Sequence, residues 1–242
     1  MSKEDVSLLA IIPARGGSKS ISRKNIAPLA GRPLIAWTIE AAQASLLVDR
    51  VVVSTDDVEI AEVAQNYGAE VPFIRPPELA QDDTPGIDPV LHGIQWLAEN
   101  QGYEPDYVVL LQPTSPLRTS EDIEQAMKLA LSQRADSVLS VTPVAHHPYR
   151  MKLLDTEGRI KDFRRAPQRG IQRQNLPPVY GLNGAIYLVK RRPFLQHRTW
   201  FGARTYAYVM EQERSLDIDT PWDLRLAELI LKDNQNQPSL TD

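Results

Sequence analysis

A run of apolar residues, Leu8 to Ile12, ends at Pro13, and small residues and cations follow at once: Arg15, Gly16, Gly17, Ser18, Lys19, Arg23, Lys24 and Asn25. Glycines let backbone amides come close to a ligand. Successive amides in a turn form a concave anion site, and nearby cations add charge to it. That chemistry suits a phosphate. Strand, small basic loop, then helix is the order in which α/β proteins cradle one. The loop is not a Walker A sequence, because Ile21 and Ser22 stand where its closing glycine would fall, and no G-x-G-x-x-G is present. The competing reading is a basic surface loop with no ligand.

A second candidate lies far along the chain. Asp217 and Asp219 flank Ile218. In an extended segment, side chains two apart share a face, which leaves Ile218 for the core. Adjacent carboxylates repel unless a cation lies between them. Mg²⁺ takes a pair of carboxylates and completes its shell with water and phosphate oxygens. The alternative is a solvated strand end whose acids help cap the next helix.

Alternating elements must position these groups. Leu8 to Ile12 reads as a strand buried on both faces. Pro33 suits a helix start, and Leu34, Trp37, Ala41 and Ala44 recur at helical spacing. Arg50 to Thr55 is a second buried strand, and Asp56-Asp57 after it read as the cap of a helix over Val58 to Tyr67. Val71 to Thr84 is a proline-rich loop with Asp82 and Asp83, and Arg75 is its only cation. A helix to about Asn100 follows, then a strand over Tyr107 to Leu111. Thr119 with Asp122 forms a capping-box pattern for a helix to about Arg134, and Ser137 to Val141 is a further strand. Ala145 to Gly181 breaks the rhythm and reads as an inserted arm. Strands return at Ala185 to Lys190 and Tyr206 to Met210, and Thr220-Pro221-Trp222-Asp223 opens a last helix to about Lys232. His146-His147 reads as packing, since adjacent histidines point apart in an extended chain. The alternation predicts a three-layer α/β fold, a mostly parallel twisted sheet with helices on both faces. No linker divides it, so residues 1–242 are expected to form one domain, with the arm at about 145–181.

The bulk numbers agree. A chain of 242 residues with 42% hydrophobic and 24% charged residues can fill a sizeable core. A net charge of −4 argues against a nucleic-acid scaffold. With no cysteine, disulfides, thiolate metal sites and cysteine nucleophiles are excluded. No apolar run is long enough for a membrane span or a leader, and a cytoplasmic protein is expected.

Read as strings, Ala14-Arg15-Gly16-Gly17-Ser18-Lys19 with Arg23-Lys24-Asn25 resembles the signature loop of the acylneuraminate cytidylyltransferases. Three later stretches resemble the same family in the same order: Leu111 to Arg118, Asn183-Gly184-Ala185-Ile186-Tyr187, and Leu216 to Thr220. The resemblance implies the nucleotide-diphospho-sugar transferase type of α/β fold. It implies an arm that mediates a homodimer and lends residues to the neighbouring pocket. It also implies an enzyme that forms a CMP-activated nine-carbon acidic sugar from CTP, releasing pyrophosphate. Beside the phosphate loop, it turns the Asp217–Asp219 pair into a Mg²⁺ site, with Mn²⁺ as substitute. Such a metal and a polyphosphate cradle are the parts that nucleotidyl transfer needs.

Residue by residue, the resemblance implies that Arg15 and Lys24 offset phosphate charge while the Gly16, Gly17 and Ser18 amides hold the phosphates. Asn25 is implied as a nucleotide contact and Arg75 as the cytosine reader. Gln112, Arg150, Arg173 and Tyr187 match sugar-binding positions, in part from the partner subunit, and Trp200-Phe201 falls where the family has an aromatic pair. Ser20 departs from a usual glycine and Gly86 from a usual serine or threonine. N-acetylneuraminic acid is the default substrate, with legionaminic and pseudaminic acids as rivals. A different sugar nucleotidyltransferase, or a non-catalytic nucleotide-binding regulator, is the alternative.

Overall fold

Leu8 to Ile12 is fully buried because both faces of its strand are covered. Leu8, Ala10 and Ile12 pack into one apolar cluster and Leu9 and Ile11 into another, as the two-residue period of a strand requires. The structure is a computed structural model that describes residues 6–164, 172 and 175–236. In chain order the elements are β1 (Leu8–Pro13), the short strands β2 (Pro28–Leu29) and β3 (Arg32–Pro33), α1 (Leu34–Ala44), β4 (Arg50–Ser54) and α2 (Val58–Asn66). Then come α3 (Asp88–Gln101), β5 (Tyr107–Leu110), α4 (Ser120–Ser132), β6 (Ser137–Pro143), β7 (Lys152–Leu154) and β8 (Ile160–Asp162). The chain continues with β9 (Tyr180–Lys190), α5 (Arg191–His197), β10 (Thr205–Val209) and α6 (Pro221–Asn236).

The main sheet has the order β10-β6-β9-β5-β1-β4. Five of these strands run parallel and β9 runs against both neighbours, β5 and β6. Ile35 and Ile39 of α1, Ile60 of α2, and Ile123 and Met127 of α4 cover one face. Val90, Ile94 and Leu97 of α3 and Phe194 of α5 cover the other. A third cluster joins Leu29, Leu34, Leu117 and Ile218 to Ala227 and Leu231 of α6. Burying an aliphatic side chain of this size contributes about 1.5–3 kcal/mol, so these layers dominate the stabilisation. No described helix is long and apolar enough to cross a membrane.

Local signals set several boundaries. Thr119 and Asp122 close the capping box of α4, each side chain bonding the other's backbone amide. Thr220 and Asp223 do the same ahead of α6. Asp57 caps α2 by accepting from the amide of Ile60 at 3.0 Å.

The inserted region leaves and rejoins at one place. Pro143 at the end of β6 pairs with Tyr180 at the start of β9. Between them lie the turn Pro148–Arg150 and the hairpin β7–β8, whose Leu153, Leu154 and Ile160 are exposed. The register between β6 and β9 shifts between Leu139 and Val141. Ser140 fills the irregularity, donating to the Asn183 side chain and receiving the Ile186 amide at 2.7 Å. Gly184, in this stretch, has a φ of +76°, a conformation that favours glycine.

Candidate functional site

The carboxyl ends of β1, β4 and β5 and the amino-terminal half of β9 meet at one edge of the sheet. Open α/β sheets bind ligands along such an edge. A cleft of about 460 Å³ opens there. Its walls are the loop after β1, the segment Leu79 to Thr84, the turn after β5, and Asp219.

The loop after β1 is fastened from within and from across the sheet. Asn25, nearly buried, donates to the Arg15 carbonyl at 2.9 Å and so closes the loop on itself. Lys24 reaches 194 residues ahead to donate to the Ile218 carbonyl at 2.8 Å, and lies 3.4 Å from Asp219. Ile218 is fully buried, and its amide donates to the Thr114 carbonyl at 2.8 Å, tying the acid turn to the end of β5. The basic loop and the paired acids are thus directly bonded.

Arg15, Gly17, Ser18, Lys24, Asn25, Arg75 and Gln112 all line the cleft. Gly16 stands differently. Its amide donates to Asp56 at 3.1 Å, and a Cβ there would sit 2.7 Å from the Asp57 carboxylate. In this structure the Gly16 amide is therefore committed to a side chain, and the glycine is required by close approach. Arg15 and Lys19 both pair with Asp82, at 2.8 and 2.7 Å. These two cations hold the Asp82 carboxylate below the ordinary range. Arg75 is 3% exposed, which lowers its pKa, while the charge of Asp56 opposes that shift.

Asp217 and Asp219 are unequal. Asp219 is exposed, whereas the Oδ1 of Asp217 is buried without a partner. Burial is the main cause that raises the Asp217 carboxyl above its usual range. The charge of Asp219 adds to the rise, and Thr114 and Lys24 oppose it. A buried, unpartnered oxygen beside a second carboxylate suits a divalent cation, because an unsatisfied acceptor carries a desolvation cost that a ligand relieves. Among the described residues, no group of three or more His, Cys, Asp or Glu side chains is arranged for a metal. This site would therefore depend on water and phosphate oxygens for the rest of its shell, as Mg²⁺ sites do.

The expected sugar contacts divide. Gln112 lies beside Gly184, where a Cβ would meet its Oε1 at 2.5 Å and Asp217 Oδ2 at 3.8 Å. Tyr187 pairs with Leu110, stacks on Trp200 at 5.3 Å, and has its hydroxyl pKa raised by burial first and by Asp217 second. Trp200 also packs on Phe194 at 4.8 Å, while Phe201 is exposed. Arg150, itself exposed, closes the turn Pro148–Arg150 between β6 and β7 and is outside the cleft lining. Arg173 lies outside the described residues. His147 accepts from the Tyr149 amide at 3.2 Å and its ring packs at a tilt against the Tyr149 ring, while His146 is exposed.

Sequence reasoning missed Asp56 and Asp82 as parts of the site. Both had a signal. Asp56 follows a buried strand at the ligand-binding edge, but the pair Asp56-Asp57 reads as a helix cap, and only Asp57 serves as one. Asp82 sits in the acidic loop already noted, with no local cue to its partners.

Comparison with known proteins bears on the family. A family model described as "Cytidylyltransferase" matches residues 9–239. A CMP-N,N'-diacetyllegionaminic acid synthase from Legionella pneumophila is 37% identical over 229 residues, covering 94% of this chain and 97% of that protein. A pseudaminic acid cytidylyltransferase from Campylobacter jejuni is 34% identical, covering 93% of this chain and 97% of that protein. An N-acylneuraminate cytidylyltransferase from Streptococcus agalactiae is 39% identical over 88% of this chain, which spans 50% of that protein. Among solved structures, CMP:2-keto-3-deoxy-manno-octonic acid synthetase complexed with CTP matches with a TM-score of 0.70 over 94% of this chain and 99% of that one. At 18% identity this likeness speaks to the fold alone. By the family model and these relatives in sequence, the chain belongs to the acylneuraminate cytidylyltransferase family and is a nucleotidyltransferase.

Proposed function

We propose that the protein transfers CMP from CTP to the anomeric hydroxyl of an acidic nine-carbon sugar, releasing pyrophosphate. The observation that carries this reading is the bond from Lys24 to Ile218, which ties the phosphate loop to the acid turn, with Lys24 and Asp219 both lining the cleft. The sugar oxygen bonds to the α-phosphorus as the bond from that phosphorus to its bridging oxygen breaks. The electron pair leaves with pyrophosphate and the hydroxyl proton passes to solvent. Lys24 and Arg15 offset the negative charge that grows on the phosphate oxygens, and the Gly17 and Ser18 amides orient them. Charge fixed in advance in this way is usually the largest single contribution to rate. Arg75 donates to the acceptors of the cytosine ring. Gln112 and Tyr187 orient the sugar on the far side of the α-phosphorus.

Asp217 and Asp219 hold Mg²⁺, or Mn²⁺ in its place, which when bound adds positive charge at the phosphate oxygens. The exposed apolar hairpin β7–β8 supports a homodimer in which Arg150 and Arg173 serve the partner's pocket. Use of CTP suits a cytoplasmic enzyme, and neither nucleic acid nor membrane is a partner. N-acetylneuraminic acid is the first substrate to test. The Legionella and Campylobacter relatives make N,N'-diacetyllegionaminic and pseudaminic acids the necessary comparisons. Pyrophosphate release with CTP, UTP, GTP and ATP against these three sugars tests the reading. Turnover restricted to CTP and one nonulosonic acid supports it, and CTP binding without pyrophosphate release from any of them overturns it.

A further inference from the structure

One carboxylate stands beneath the cleft and joins two parts of it. Asp56 follows β4, whose neighbour β1 delivers the phosphate loop, and the Ala14 amide donates to the Ser54 carbonyl at 2.9 Å. On its other side, the Arg75 amide donates to the Thr55 carbonyl at 2.7 Å. The single oxygen Asp56 Oδ1 then accepts from the Gly16 amide at 3.1 Å and from Arg75 Nη2 at 3.3 Å. These partners are 40 and 19 residues away in sequence.

The chemistry of each partner makes the joint consequential. Arg75 is 3% exposed and its Nε has no partner. A guanidinium so deeply buried needs a counter-charge to hold one orientation, because an unpaired buried charge is costly. Asp56, at 24% side-chain exposure, supplies it. Gly16 lies in the phosphate loop, and its bond to Asp56 commits that amide to a side chain, while Gly17 and Ser18 line the cleft. A capping role explains neither bond, since Asp57 alone caps α2.

We infer that Asp56 is a positioning residue that couples recognition of the base, through Arg75, to the set of the phosphate loop, through Gly16. This rests on the proposed use of Arg75 as the cytosine reader. Asp56→Asn keeps the size and one acceptor but removes the charge, and Asp56→Glu keeps the charge but displaces it by one carbon.

The test measures KM and kcat with CTP and with UTP for the wild type, Asp56→Asn, Asp56→Glu, Arg75→Ala, and the Asp56→Asn/Arg75→Ala double variant. Circular dichroism and melting establish that each is folded. For Asp56→Asn the expected result is a CTP KM raised about tenfold or more, kcat lowered less than fivefold, and a CTP-over-UTP preference reduced about tenfold. Asp56→Glu should recover part of that preference. The double variant should have no less preference than Arg75→Ala alone, because both act through one guanidinium. If Arg75→Ala abolishes the preference while Asp56→Asn leaves it intact, the inference is overturned and the base-reading role of Arg75 survives. If Arg75→Ala leaves the preference unchanged, the base-reading role fails and takes the inference with it. Should Asp56→Asn not fold, Asp56→Ser decides: an unchanged CTP-over-UTP ratio and KM overturn the inference.

Discussion

Replacing Asp217 by asparagine should make the protein more stable and inactive at once. The buried Oδ1 of Asp217 has no partner, and burial raises the carboxyl's pKa above the usual carboxylate range. A raised folded-state pKa contributes stability below the unfolded value, and that contribution is lost as pH rises through the folded one. At neutral pH the wild type therefore carries the cost of a desolvated charge. An unsatisfied buried acceptor costs about 1–3 kcal/mol, and a neutral amide removes part of it, so a gain of about 1 kcal/mol is expected. For a chain of this size that is a rise of roughly 2–4 °C in melting temperature without divalent metal. Magnesium should reverse the order. With CTP present and the metal at about a hundred times its apparent Kd, the wild type should gain about 2.7 kcal/mol and the variant almost nothing. Calorimetry at pH 7, with CTP and either chelator or magnesium, measures both effects, and pyrophosphate release measures the loss of turnover. A variant that melts below the wild type in chelator, or responds to magnesium as the wild type does, would refute the reasoning.

Other outcomes follow from the same geometry. Lys24→Ala should lower kcat by roughly a hundred- to a thousandfold at saturating CTP, the range for losing one preorganised donor to a developing charge; a loss below fivefold counts against that role. Gly184→Ala places a methyl 2.5 Å from Gln112 Oε1 at a φ of +76°, so Gln112 must swing away. The KM for sugar should rise about tenfold and the KM for CTP should change little, as steady-state kinetics will measure. Arg173→Ala and Lys24→Ala subunits, inactive apart, should regain activity when mixed, if Arg173 serves the neighbouring pocket; no recovery in a confirmed heterodimer opposes a shared site. Thr119→Ala removes one half of the α4 capping box and should cost about 0.5–2 kcal/mol by denaturant titration, with the CTP KM unchanged.

What could be read in advance was local. The strand Leu8–Pro13, the Thr119–Asp122 box and the Thr220–Asp223 box are written in residues within a few positions of one another. The acid pair was also legible, because Ile218 between Asp217 and Asp219 had to go inward, and it is fully buried. The direction of β9 was not legible. Apolar content declares that Ala185, Ile186, Leu188 and Val189 are buried, but an antiparallel central strand is buried on both faces as a parallel one is. Its length was also underestimated, since Tyr180, Gly181 and Leu182 pair with β6 at exposed or partly exposed positions. Asp56 and Asp82 were missed for a different reason. Their partners are brought near only by folding: Gly16 and Arg75 for one, Arg15 and Lys19 for the other.

The reversed course of β9 has a mechanical result. Its first residues, Tyr180 to Leu182, pair with the end of β6, and farther along it Gly184 stands beside Gln112 and Asp217 while Tyr187 feels the charge of Asp217. Three residues of one strand separate the exposed Tyr180 from Gly184 and its neighbour Gln112. In the proposed homodimer, a partner held at that exposed end would bear on the position of Gly184, and association and catalytic fit would become one variable. Dilution should then extinguish turnover while every helix remains intact.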